Sequence, residues 1–172
     1  MSDFKCSNNE DVENFLLKKD KAIRNEKADK TRTHLVVDKD NPYTKDGQVR
    51  ILGYFSLSTK PLKIPNNISR TMVKQLDGVN KNAKYVECYL IGQLGKNENH
   101  KHGITGKELL DKALDLLKQV QKAIGKRVIL VESVDNEKVL DFYNDNGFEF
   151  IDTIEVEQKD KIIKLHQLIL RI

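Results

Sequence analysis

Residues 105–124 read as one long amphipathic helix set between two strand-like runs, and that order limits the folds open to the chain. Leu109, Leu110, Ala113, Leu116, Leu117, Val120 and Ile124 recur at the helical period, and Gly125 closes the stretch. Before it, Tyr85–Ile91 alternates, with Val86, Cys88 and Leu90 on one face and Tyr85, Glu87 and Tyr89 on the other. After it, Arg127–Ser133 (RVILVES) is a buried-type strand. Strand, helix, strand is a crossover unit, which is right-handed in nearly all proteins. The expected class is α/β, a central twisted mixed sheet flanked by helices.

The rest of the chain supplies elements for such a sheet. Asn8-Asn9-Glu10-Asp11 predicts a helix start, and Val12, Phe15, Leu16, Lys19 and Ile23 share a face over Asp11–Lys27. Thr33–Val37 and Val49–Leu57 read as strands of a hairpin turned at Lys45-Asp46-Gly47, with Pro61 and Pro65 ending that region. A short helix over Ser69–Gly78 stops at Gly78. Gly92–Ile104 carries three glycines and reads as a long loop, which inside a compact domain is often functional. Asn136–Asn146 is a second helix stopped by Gly147, and strands follow around Phe148–Glu155 and Ile162–Ile172. Without repeats or a linker, residues 1–172 read as a single domain.

Composition excludes several classes. Hydrophobic residues make up 38% and charged residues 33%, and no apolar run approaches the ~18 residues of a membrane span. Cys6 and Cys88 are far apart and in no metal-type spacing, and the N-terminus lacks a secretory pattern, so the expected address is the cytoplasm. The net charge of +4 suits solubility as well as a polyanionic ligand. With only six arginines, specific DNA reading is disfavoured.

Two segments could carry chemistry. In Lys101-His102-Gly103-Ile104-Thr105-Gly106-Lys107-Glu108, a glycine-containing approach to a helix N-terminus offers unpaired N–H groups and nearby lysines, Lys96 included, to an anion. The same residues contain Thr105-Gly106-Lys107-Glu108, a capping box that would satisfy the helix end by itself, and both readings stand. In the second segment Asn136 caps a helix beyond a strand, and Tyr143, seven residues on, shares its face. A tyrosine with a reference pKa near ~10 is a protonated donor that can return a proton to a leaving thiolate. The competing reading is a half-buried packing residue beside Phe142. His100 and His102 have no further ligand pattern around them, so no metal is expected.

Together these segments resemble the GNAT superfamily of acetyltransferases. The stretch VESVDNEKVLDFYNDNGF keeps the family's Asn136, Tyr143, Gly147 and Phe148 at full spacing. In the pyrophosphate loop Lys101 stands where Arg or Gln is usual, Ile104 replaces the first glycine and Gly106 keeps its place. The resemblance implies acetyl-CoA as co-substrate, with backbone groups of Leu94, Gly95 and Lys96 pairing with the pantetheine arm. N–H groups near Gly103, Thr105, Gly106 and Lys107 would hold the pyrophosphate, and Asn136 would help position the coenzyme. Tyr143 would protonate the departing thiolate after direct attack by a primary amine, with Glu87 as the candidate base.

The acceptor is left open among small amines, protein amines and aminoacyl-tRNA. Phe4–Asn8, Thr31–Val37 and Ile51–Leu57 resemble the GNAT-type toxins of toxin–antitoxin pairs, which acetylate aminoacyl-tRNA. That resemblance brings an antitoxin partner and a homodimer into view, with no membrane. A non-catalytic coenzyme-binding or interaction module is the alternative of another class.

Overall fold

The computed structural model describes residues 3–158 and 161–172. Its six-stranded mixed sheet has the order β1-β2-β3-β4-β6-β5, with β1 at Arg32–Val37, β2 at Ile51–Lys63 and β3 at Tyr85–Lys96. The others are β4 (Val128–Val134), β5 (Glu149–Gln158) and β6 (Lys161–Arg171). The helices are α1 (Glu10–Leu17), α2 (Ala22–Lys27), α3 (Arg70–Asp77), α4 (Gly106–Ile124) and α5 (Glu137–Asp145). The expected class and the crossover order β3-α4-β4 are both present. No helix among the described residues is long and apolar enough to cross a membrane. The chain divides into two compact units, one of residues up to Ser58 with Ile91–Leu116, the other of Thr59–Leu90 with Leu117–Ile172.

The first unit is built on Tyr54. Its ring is fully buried with Phe4, Val12 and Ile51, meets Phe4 edge-on at 5.3 Å, and stacks on Phe15 at 6.3 Å. Its hydroxyl donates to the Val12 carbonyl at 2.6 Å, which ties α1 to β2. The hairpin forms as expected, with β1 antiparallel to β2 from Arg32↔Leu57 to Val37↔Ile51. The single helix expected over Asp11–Lys27 is two, α1 and α2, broken at Lys18–Lys21. At 3.6 residues per turn a continuous helix would carry Ala22 roughly 80° off the Val12 face. The break lets Ala22 bury to 5% exposure while Ile23 stays 50% exposed.

Two strand limits also differ from expectation. Pro61 does not end β2 but lies inside it, in the part that extends past Leu57, the last residue with a β1 partner. A residue without an N–H is tolerated in such an edge-like stretch. The loop expected from Gly92 starts only after Lys96, because β3 runs on through Gly92 and Gly95. A Cβ on Gly95 would sit 2.4 Å from Val12 Cγ1 and 2.9 Å from the Tyr54 ring, so glycine here serves close packing within a strand. Tyr89, which shares a face with Tyr85 and Glu87, is only 2% exposed against 59% for Tyr85, and its hydroxyl donates to the Gly125 carbonyl.

In the second unit α3 packs Val73 and Leu76 into a core with Leu62, Ile64, Val86, Cys88, Val128, Leu130, Ile151 and Ile169. Ser69 caps α3 by accepting from the Met72 N–H, and Gly78 ends it at φ 98°, a left-handed conformation suited to glycine. β6 is antiparallel to β4 (Val128↔Arg171 to Val134↔Leu165) and to β5. Gly95→Ala must displace Val12 or Tyr54, and overpacking of this kind costs about 1–3 kcal/mol. Urea denaturation should show a midpoint lowered accordingly, and an unchanged midpoint would mean that the first core yields freely.

Candidate functional site

The approach to α4 is fastened before the helix begins. Asn97 is fully buried. Its Oδ1 accepts from the backbone N–H groups of Lys5 and Asn99, both at 3.0 Å, and its Nδ2 donates to the Ile51 carbonyl at 2.7 Å. Glu98–His100 then forms one 3-10 turn. The His100 ring lies 2.6 Å from an Asp3 carboxylate oxygen, and Asn99 Nδ2 donates to the Asp3 carbonyl at 2.6 Å. His100 is thus engaged with Asp3, and no cluster fit to hold a metal occurs among the described residues. Sequence reasoning missed Asn97, because an isolated Asn in a glycine-containing stretch carries the same signal as any loop residue.

Beyond the turn, Gly103 donates its N–H to the His100 carbonyl at 2.9 Å, and its Cα face lies against Leu52, where a Cβ would come within 2.6 Å. Lys96 donates from Nζ to the Lys101 carbonyl at 2.9 Å, so this ammonium anchors the loop. Ile104, which stands where the family pattern has glycine, is buried to 6% exposure.

The capping box is real. Thr105 donates its backbone N–H and its hydroxyl to Glu108 Oε2, each at 2.7 Å, and Glu108 N–H donates to Thr105 Oγ1 at 3.1 Å. A helix start leaves about four N–H groups without carbonyls. This box uses those of Thr105 and Glu108, and the N–H groups of Gly106 and Lys107 have no partner among the described residues. The cap therefore leaves two N–H groups at this helix start without a protein partner among the described residues. The Lys107 ammonium is itself engaged by Asp111 at 3.0 Å.

The second unit carries α5. Asn136 caps it, accepting from the Val139 N–H at 3.4 Å, and Gly147 leaves it at φ 84°. Tyr143 is 8% exposed, its ring edge-on to Phe142 at 5.2 Å and to Phe148 at 5.3 Å. Burial pushes the phenol up to about 12. Its hydroxyl has no hydrogen-bond partner among the described residues. A packing role and a free donor are thus combined in one side chain.

Glu87 lies on β3. Its exposed carboxylate lies 3.6 Å from Lys126 Nζ, at the amino end of β4, whereas Asn136 follows the carboxyl end. The structure does not bring Glu87 to the start of α5. Next to that start stand three residues the sequence did not single out. Asp135 Oδ1 is 3.5 Å from His166 Nε2, and His166 Nδ1 is 2.9 Å from Thr153 Oγ1.

No protein-family model and no curated protein matches the chain. Solved structures do. AtaT complexed with acetyl-methionyl-tRNAfMet superposes with a TM-score of 0.65 at 20% identity, over 94% of this chain and 84% of that one. AtaTR bound with acetyl-CoA gives 0.66 at 19% identity, over 99% and 85%. A tyrosine-to-phenylalanine mutant of KacT gives 0.68 at 20% identity, over 95% and 85%. The fold is that of the GNAT toxins. At such identities it is the arrangement of strands and helices that is shared.

Glu108 provides a test of the cap. Hydrogen bonds from the Thr105 backbone N–H and then its hydroxyl hold the Glu108 carboxyl below its ordinary value of 4.5. A lowered folded-state pKa stabilises the fold above the unfolded value, and that contribution is lost as pH falls through the folded one. Glu108→Gln should therefore melt below the parent at pH 7, and the two melting curves should converge as pH drops under 4.5. A Tm gap that persists unchanged at pH 3 would separate the cap from the charge of Glu108.

Proposed function

We propose that this chain, as a single N-acetyltransferase domain, moves the acetyl group of acetyl-CoA to a primary amine, the α-amino group of an aminoacyl-tRNA being the favoured acceptor. The observation that carries the reading is Tyr143, a phenol kept protonated by burial, with its hydroxyl unengaged, seven residues after the Asn136 cap. AtaT was solved with acetyl-methionyl-tRNAfMet and AtaTR with acetyl-CoA, which supports both donor and acceptor class for a chain of the same fold. AtaT was also solved on the C-terminus of its antitoxin AtaR, which extends the reading to an antitoxin partner.

The residues fit the co-substrate. The unspent N–H groups of Gly106 and Lys107 point with the positive end of the α4 dipole, an environment that suits a pyrophosphate. Ile104 is buried to 6% exposure, and Gly103 keeps the loop close to Leu52. Along β3, Leu94, Gly95 and Lys96 are in extended backbone, the conformation needed to pair with a pantetheine arm. Acetyl-CoA brings an activated thioester carbonyl, and the chain's own part is to grip the coenzyme and receive the charge left on sulfur.

Tyr143 performs that second task. A phenol near pKa 12 is a weak acid toward an ordinary thiolate, whose reference pKa is ~8.5. Burial raises both, because desolvation disfavours either anion, so a thiolate formed beside Tyr143 is also more basic than in water. The hydroxyl donates as negative charge develops, and the proton follows. The attacking amine must be neutral. An α-amino group, with a reference pKa of ~7.7–8.0, is partly neutral near pH 8, whereas a lysine amine at ~10.4 is not. An α-amine acceptor therefore needs no strong base, and the exposed, ion-paired Glu87 has no necessary part.

Tyr143→Phe should lower kcat by about 10²-fold while leaving the calorimetric Kd for acetyl-CoA nearly unchanged. Full activity in the variant would return Tyr143 to packing alone, and no coenzyme binding by the parent protein would end the acetyltransferase reading. With methionyl-tRNA as acceptor, kcat/KM should rise with pH through about 8 and show no descending limb below about pH 11, since Tyr143 stays protonated to about 12. A fall in rate between pH 8 and 9 would identify a different acid.

A further inference from the structure

Far from the α5 cap, the second unit holds a groove of about 620 Å³ between α3, the start of β4 and the end of β6. Lys74, Arg127 and Arg171 line it, with Glu149 as the one acidic side chain and Ile172 also in the lining. Arg171 is oriented, donating to Gln75 Oε1 at 2.8 Å and to Glu149 at 3.3 Å. Arg127 lies across Gly78, where a Cβ would meet its guanidinium at 2.9 Å, so the bare α3 stop leaves room for that side chain. Neither Arg127 nor Lys74 has an ion-pair partner among the described residues.

We propose that this groove binds the phosphate backbone of the RNA that carries the acceptor amine. The inference rests on the aminoacyl-tRNA reading and adds the surface that recognises it. A guanidinium matches a phosphate with paired donors, and an oriented arginine loses less freedom on doing so. Position selects the kind of ligand. Arg127 precedes β4 and Asn136 follows it, and at ~3.3 Å per residue the two are separated by roughly 30 Å. A small amine acceptor reacting at the α5 end of this unit cannot also fill the groove. An aminoacyl-tRNA can, because its amine sits at the tip of a single-stranded end and the phosphate-dense duplex follows behind.

The test uses the full chain and methionyl-tRNA, with Kd measured from 50 to 200 mM KCl. Each lost phosphate contact removes about 0.7–0.9 from the slope of log Kd against log salt, so Lys74→Gln with Arg127→Gln should flatten it by about 1.5. At ~100 mM salt the same double variant should bind about tenfold more weakly. Its Tm and its Kd for acetyl-CoA should match the parent, and Arg24→Gln, an exposed arginine on α2, should keep the parent slope. A parent-like slope in the double variant, with acetyl transfer to methionyl-tRNA intact, overturns the groove and spares the acceptor reading. A parent protein that neither binds nor acetylates methionyl-tRNA overturns both. Polyglutamate should compete far less well than RNA, and equal competition would assign the groove to an acidic protein instead.

Discussion

The backbone N–H groups at the start of α4 set the terms for the rest of the first unit. A helix cannot bond its own first donors, and side chains, water or a ligand must do so. Thr105 and Glu108 satisfy one donor each way and fix where the helix begins. The cap also places a carboxylate beside the donors that remain. The positive potential at this helix start rests on directed N–H groups and the helix dipole more than on lysine charge, since Lys107 is held by Asp111 and Lys96 by the Lys101 carbonyl. Donors supplied by backbone are stiff, and their arrangement depends on how the preceding loop is held.

That holding is done by polar groups in a place where an apolar core would give no direction. The Asn97 carboxamide uses acceptor and donor together, to the Lys5 and Asn99 N–H groups and the Ile51 carbonyl. A buried amide with these bonds made costs little and specifies one arrangement, whereas the same amide unpaired would be strongly unfavourable. Asp3 extends the clasp to His100, and His100 accepts the Gly103 N–H through its carbonyl. A chain of bonds thus runs from the N-terminal segment to the last glycine before α4. Gly95 supports it from below, letting Val12 and Tyr54 close on β3.

Much of this fold could be read from local pattern, because local pattern is what fixes it. The α4 stripe, the Asn136 and Ser69 caps, and the stops at Gly78 and Gly147 each arise within a few residues. The errors came where a distant residue decides. Gly95 resembles loop punctuation until Val12 is seen to need the space. The α1–α2 break depends on burying Ala22, not Ile23, which the helical period alone ranks the other way. The Asp135–His166–Thr153 contacts join β5 and β6 to the end of β4, and only strand register makes them neighbours.

Charge shows the same limit more sharply. Merely counted, six arginines in 172 residues give no sign of a phosphate-binding surface. What attracts a polyanion is the charge left uncompensated in one place. Arg32 is held by Asp29 at 2.6 Å and Arg50 faces Asp38 at 3.6 Å, so both are largely spent within the fold. Arg127 and Lys74, far apart in sequence, line one groove with no carboxylate assigned to either, while Glu149 and Gln75 hold Arg171 in position. Folding thus gathers a modest net charge into a local field, and exposed pairs elsewhere contribute little once screened by salt. The scarcity of arginine is then a reason to look for where it is concentrated, not a reason to exclude a nucleic acid.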